Sequence, residues 1–159
     1  MKRIICILVM LLFAFPAFAQ ENPFAPYEIA LPEGVTLTSN EGSHAFVMGK
    51  TRVVTMVIPR VPDEDPESAL QRMVFQFDPD AMLGEALPMA EGYVGVHALS
   101  KGKLGEGVDT LHIMILSEAG DLLILSGYDL DGDEENVQSL LEMLLSKLSV
   151  NGHLIVTQE

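Results

Sequence analysis

The sequence has no tryptophan and one cysteine, Cys6, and its nine Lys and Arg residues are outnumbered by 23 Asp and Glu, for a formal charge of −14. Each shortage excludes something. With one cysteine there is no disulfide framework, and if Cys6 leaves with a cleaved leader there is no thiol nucleophile or thiolate metal site either. With few basic residues the chain lacks the Lys/Arg patches that nucleic acid and anionic lipid surfaces require. Long apolar runs are also missing. The longest, Ile4 to Phe15, stops at Pro16 and falls short of the roughly 20 residues that cross a bilayer as a helix.

What that run does fit is an export signal. Lys2 and Arg3 precede it, and Ala17-Phe18-Ala19 follows it with small residues flanking a cut before Gln20. Residues 1–19 are therefore expected to be a signal peptide, and 20–159 a single domain. Cys6 sits in the apolar part of the leader, without a lipidation context. The leader holds two of the nine basic residues and none of the 23 acidic ones, so the mature chain carries −16 over 140 residues. That length can bury about two-thirds of its unfolded surface without a metal or disulfide. An exported chain free of cysteine suits a periplasm better than the disulfide-rich secreted world. Its charge keeps it soluble and favours a partner with a basic surface. No membrane attachment is expected after leader removal, and the oligomeric state stays open.

Pattern along the chain points to an α+β protein, with an antiparallel sheet flanked by two main helices. Tyr27 to Leu31 and Val35 to Thr38 read as strands about the turn Pro32-Glu33-Gly34, and Ala45–Met48 with Arg52–Ile58 as a hairpin. Asp65, Pro66 and Glu67 match the N-cap, first-residue and first-turn preferences of a helix, whose apolar stripe is Ala69, Leu70, Met73, Val74 and Phe77. Asp78-Pro79 should stop it. Residues 80–92 show no clear period. Tyr93–Leu99, Thr110–Leu116 and Leu122–Tyr128 read as a three-strand meander. Val94, Val96, Leu111, Ile113 and Ile115 are expected on one of its faces, with Tyr93, Leu99, Met114 and Leu116 on the other. A closing helix, capped by Asp131 or Asp133, carries Val137, Leu140, Leu141, Leu144, Leu145 and Leu148 and should end at Asn151-Gly152. Residues 153–159 are left as a short edge strand or tail.

In the opening Tyr27-Glu28-Ile29-Ala30-Leu31-Pro32-Glu33-Gly34, and in the order hairpin, helix, meander, Leu-rich helix, the chain resembles the PsbP-like superfamily. That fold is shared by the extrinsic P-protein of photosystem II, Mog-type Ran-binding proteins and DcrB-type exported bacterial proteins. The chain departs from the pattern at Val35, where an aromatic would follow the glycine. The resemblance implies the fold and an accessory or binding role, and transfers no site residues.

Two constellations could hold a metal. Asp129, Asp131 and Asp133 match positions 1, 3 and 5 of an EF-hand loop, but the next position is Glu134 instead of glycine, and the twelfth is Leu140 instead of a bidentate Glu. The competing reading, an acidic turn capping a helix, explains the residues better. His97 and His112 face each other if the meander's first hairpin is symmetric about Leu104-Gly105, with Cβ atoms about 5 Å apart. Two imidazoles could then share zinc or copper, though no third ligand is obvious and zinc wants three or four. A structural pair is the plainer reading. His44 and His153 carry no signal. Most of the methionines fit packed elements. No Gly-x-Ser-x-Gly or phosphate loop is present. The expectation is a non-catalytic, exported binding or accessory protein with no cofactor; the alternative is a divalent-metal-binding protein using the 129–135 turn or the His97/His112 face.

Overall fold

The computed structural model describes residues 22–40, 43–59, 61, 65–104 and 108–157. The expected leader lies outside the described residues. Ten strands and two helices are seen in the described part: β1 (Glu28–Ile29), β2 (Thr36–Asn40), β3 (Ser43–Met48), β4 (Thr51–Ile58), α1 (Pro66–Phe77), β5 (Met82–Ala86), β6 (Tyr93–Leu104), β7 (Val108–Ser117), β8 (Leu122–Asp129), α2 (Glu134–Leu145), β9 (Leu148–Val150) and β10 (His153–Leu154). Strands β2 to β8 form one antiparallel sheet in the order β2-β3-β4-β8-β7-β6-β5, and β1-β9-β10 form a small second sheet. The chain thus winds β2-β3-β4 up to the middle of the sheet. It crosses one face through α1 to the far edge at β5, then winds back until β8 pairs with β4 from Thr51↔Asp129 to Ile58↔Leu122.

The helix starts follow their local chemistry. Asp65 Oδ2 accepts hydrogen bonds from the Ser68 amide at 3.0 Å and the Ser68 hydroxyl at 2.9 Å, and Pro66 opens α1. Asp133 Oδ1 accepts from the Asn136 amide at 3.2 Å to cap α2. Such caps satisfy amides that the first helical turn leaves without partners.

The two helices cover opposite faces. On one, α2 sets Val137, Leu140, Leu141 and Leu144 against Ile113, Ile115, Leu123 and Leu125, joined by Phe24, Tyr27 and Phe46. On the other, α1 sets Ala69, Leu70 and Val74 against Met114, Leu116, Leu122 and Ile124. Gly127 lets α2 come close: a Cβ there would stand 2.8 Å from Val137 Cγ1 and 3.2 Å from Leu141 Cδ1.

Three details differ from the sequence reading. The closing helix ends at Leu145, capped at Ser146. Leu148 is a buried strand residue, and Asn151-Gly152, both at positive φ, form the β9–β10 turn. Residues 82–86, without a visible period, form the edge strand β5, whose side chains are all exposed. The lead-in before Tyr27 joins the core, with Phe24 4% exposed and stacked on Phe46 at 5.5 Å. Tyr27 is fully buried; its hydroxyl donates to the Asp121 carbonyl at 2.8 Å, and burial raises its pKa well above the usual phenol range.

Candidate functional site

The register of the meander decides where every candidate side chain goes. β6 and β7 pair Tyr93↔Ser117, His97↔Ile113, Ala98↔His112 and Ser100↔Thr110, with an irregularity between Ser100 and Leu104. This is one residue away from symmetry about Leu104-Gly105, and a one-residue slip moves a side chain to the other face. Two expectations change with it. Val94 and Val96 lie with Met114 and Leu116 under α1, and Tyr93 lies on the α2 face with Ile113 and Ile115. His97 and His112 do not form a pair: they stand on opposite faces, so they cannot share an ion. Because both faces of these strands are apolar, hydrophobic alternation carried little information about the register.

His97 sits half-buried in a groove of about 540 Å³ between the β5 edge and α2, lined by Met82, Leu99, Leu141 and Leu145. Its ring occupies the space that a side chain on Gly84 would need.

The acidic turn is engaged within the protein. Asp129, 3% exposed, accepts from the Thr51 hydroxyl at 2.7 Å through Oδ2, and from the amides of Asp131 at 2.8 Å and Asp133 at 3.4 Å through Oδ1. The Thr51 hydrogen bond, helped by the two amides, holds its carboxyl below the usual carboxylate range. Asp131 accepts both oxygens' worth of hydrogen bonding from Lys50 Nζ, at 2.7 and 2.9 Å, which raises the lysine pKa. That pair is exposed and holds little stability. Asp133 caps α2, and Leu140, the twelfth position of the loop, is fully buried in the core. The geometry is that of a loop closing onto a helix.

His112 lies in a more telling place. Following each strand along the α1 face, the side chains change character part-way. β7 runs Leu116, Met114, His112, Thr110; β8 runs Leu122, Ile124, Ser126, Tyr128; β6 runs Val94, Val96, Ala98, Ser100. The apolar half is roofed by α1. The polar half lies beyond Phe77-Asp78-Pro79, where Pro79 ends the helix, and the sheet there stays open as a groove of about 500 Å³. The sheet face that floors it carries Ser100, Thr110, His112 and Ser126 together with Val54, Met56 and Ile124, and Phe77, Asp78 and Pro79 border it.

The floor is ordered by the imidazole. His112 Nδ1 is 2.8 Å from Ser126 Oγ, and Nε2 is 3.1 Å from Ser100 Oγ. A neutral ring has one donor and one acceptor nitrogen, so one serine donates to it and the other accepts from it. Burial pushes the His112 pKa down, opposed by the nearby Asp78 carboxylate. The edge of Phe77 meets the ring at 5.8 Å. Thr110, 4% exposed, is different: its Oγ1 is buried with no hydrogen-bond partner among the described residues. Sequence reasoning took in His112 as half of a pair and missed Ser100, Ser126 and Thr110 altogether. The signal was there: the positions facing one way turn from apolar to imidazole or hydroxyl at the level of His112 and Ser126 in β7 and β8, and one position further on, at Ser100, in β6.

The Ser126–His112 contact has the spacing of a nucleophile and base. The far nitrogen faces a serine hydroxyl, where a triad places a carboxylate to stabilise the imidazolium, and burial favours the neutral ring. Among the described residues, no three His, Asp or Glu side chains converge as a metal set would.

No family model matches the chain, and no curated protein matches it significantly. Among solved structures it is similar to the solution structure of cyanobacterial PsbP from Synechocystis sp. PCC 6803, with a TM-score of 0.53 and 16% sequence identity over 79% of this chain and 86% of that one. The chain has a PsbP-like fold.

Proposed function

We propose that this is an exported, non-catalytic binding or accessory protein that receives its ligand in the groove beyond the end of α1. The observation that carries this reading is the groove itself: about 500 Å³ on one sheet face, lined by apolar side chains with Ser100, Thr110, His112 and Ser126 among them. Concave, mostly apolar sites with a few placed polar groups are what small-molecule binding uses. Met56 and Phe77, 47% and 51% exposed, put large apolar surface at its mouth. Export rests on the signal-like residues 1–19, and the fold is in keeping with an accessory role. A metal-binding role draws no support from the separated histidines or the self-satisfied acidic turn.

The test is fluorescence titration of the purified protein with phenylnaphthylamine, a neutral apolar dye. One saturable site per chain is expected, abolished by Phe77→Asp or Met56→Asp, both at half-exposed positions, with circular dichroism of each variant checking that it is folded. Dye binding that survives both substitutions would remove the groove from consideration. The non-catalytic half of the reading is tested with a fluorophosphonate, which labels activated serines. Labelling at Ser126 would overturn it.

A further inference from the structure

The sheet face that carries the groove is where this acidic chain withholds its acids. Val53 lies in the α2 core, so alternation along β4 turns Arg52, Val54 and Met56 to the α1 side. Cross-strand pairing extends that assignment to β3 and β2 on one side of β4 and to β8 and β7 on the other. Of the residues that these five strands present there, none is Asp or Glu, and Arg52 alone carries a fixed charge, in a protein with 23 acidic residues. Arg52 borders the groove: it lies two residues from Val54 and directly opposite Tyr128, both of which line the space. Directly opposed side chains have Cβ atoms about 5 Å apart. The arginine is partly buried, and its guanidinium makes no ion pair or hydrogen bond with the described residues. The neighbouring cation, Lys50, is held by Asp131. Asp78, the carboxylate in the lining, sits by His112 on β7, two strands from β4 and so about 10 Å across the sheet from Arg52. A cation drawn partly out of water without a partner is unfavourable, and this one stands at the end of an apolar space.

We propose that the groove binds an amphipathic monocarboxylate, with its carboxylate paired to the Arg52 guanidinium at the Tyr128 end and its apolar body laid against Val54, Met56, Ile124 and Phe77. This rests on the groove being the binding site and adds the chemical class of the ligand. The planar fork of a guanidinium matches the two oxygens of a carboxylate. One cation offsets one negative charge; a phosphate monoester, with about two, would leave the second facing a chain of formal charge −14. From Arg52 to Met56 the strand rises about 13 Å, room for an alkyl chain or fused rings. A cationic ligand would be repelled by Arg52, and a neutral one would leave it unmet.

The experiment displaces phenylnaphthylamine from the purified protein with decanoate and with decanol, which has the same chain and a neutral head. Decanoate is expected to bind more tightly than decanol. Arg52→Gln should weaken decanoate by at least about tenfold, the worth of one charge-assisted hydrogen bond, and leave decanol and the dye unchanged. Arg52→Lys, which keeps the charge without the fork, should recover part of the loss. If the dye binds and decanoate is no tighter than decanol, or is held equally by wild type and Arg52→Gln, the carboxylate class is wrong while the groove reading stands. Equal weakening of all three ligands in Arg52→Gln would make Arg52 a packing residue and overturn the class as well. If the dye does not bind the wild-type protein, the groove reading fails and takes this inference with it.

Discussion

The two faces of the main sheet are built from the same strands and end differently. On the α2 face, the helix, the small sheet and the Phe24–Tyr27 lead-in build a continuous buried core, in which Leu140, Leu144, Ile115, Leu123 and Leu148 are each no more than 1% exposed, and the groove beside His97 lies at its β5 edge and is lined mostly by apolar side chains. On the α1 face, a helix of the same 12-residue length covers only half of the sheet and gives way at Asp78-Pro79 to an open polar floor. The difference does not come from helix length, since both span about 18 Å at 1.5 Å per residue. It comes from what the strands present. Where β6, β7 and β8 offer Val, Leu, Ile and Met, burial under a helix is favourable; where they offer Ser, Thr and His, it is not. One face is built for stability and the other is divided between stability and a site.

That contrast predicts how the faces respond to damage. The largest effect should come from Leu144→Ala, which empties a fully packed position under α2 and should cost roughly 2–5 kcal/mol, lost transfer energy and cavity together. Phe77→Ala, at the rim of the groove and 51% exposed, should cost less than about 1 kcal/mol. Urea unfolding of the two variants checks this, and equal losses would erase the distinction between the faces.

A smaller loss is expected from Gly127→Ala. The added methyl would meet Val137 and Leu141 and should force α2 off the sheet at a cost of about 1–3 kcal/mol. A Val137→Ala change made with it should recover part of the loss, because the clash is with that side chain. A neutral outcome for Gly127→Ala alone would mean that α2 is not held as closely as the core requires.

The mildest effect concerns pH and belongs to the open face. His112 has a folded pKa depressed below its unfolded value near 6.5. Below that value the unfolded chain takes up a proton that the folded one resists, so stability falls as the pH drops through about 6.5 and stops falling below the depressed folded pKa. His112→Gln should flatten this part of the stability profile. Asp129 works in a separate, more acidic window: its folded pKa is lowered, so its contribution is present above the unfolded value near 3.9 and is lost as pH falls through the folded one. An unchanged profile between neutral pH and pH about 5 in His112→Gln would mean that the ring is not held neutral by the fold.

Much of this architecture is legible in the sequence because its signals are local. Asp65-Pro66 and Asp133 act on amides within the next few residues, so the helix starts need no tertiary knowledge. The end of α2 is less legible. Leu148 continues the heptad-like stripe of Leu141 and Leu144, and only pairing of β9 with β1 draws it into a strand. Strand β5 is invisible for the same reason: Met82–Ala86 bury no face, and their strand character is imposed by β6.

Residue order alone decided where the chain turns, where α1 begins and stops, which stretch of each strand is apolar and which polar, and that the acidic residues at 129–133 would serve a helix start. Those are short-range matters of capping, φ restriction at proline and side-chain alternation. The pairing of β6 with β7 was decided only in three dimensions, by the Ser100–Leu104 irregularity and by the packing of α1 and α2 on two apolar faces that alternation could not tell apart. That single residue of register separates His97 from His112 and sends the latter to Ser100 and Ser126, because in a strand of period two every shift by one exchanges inside for outside.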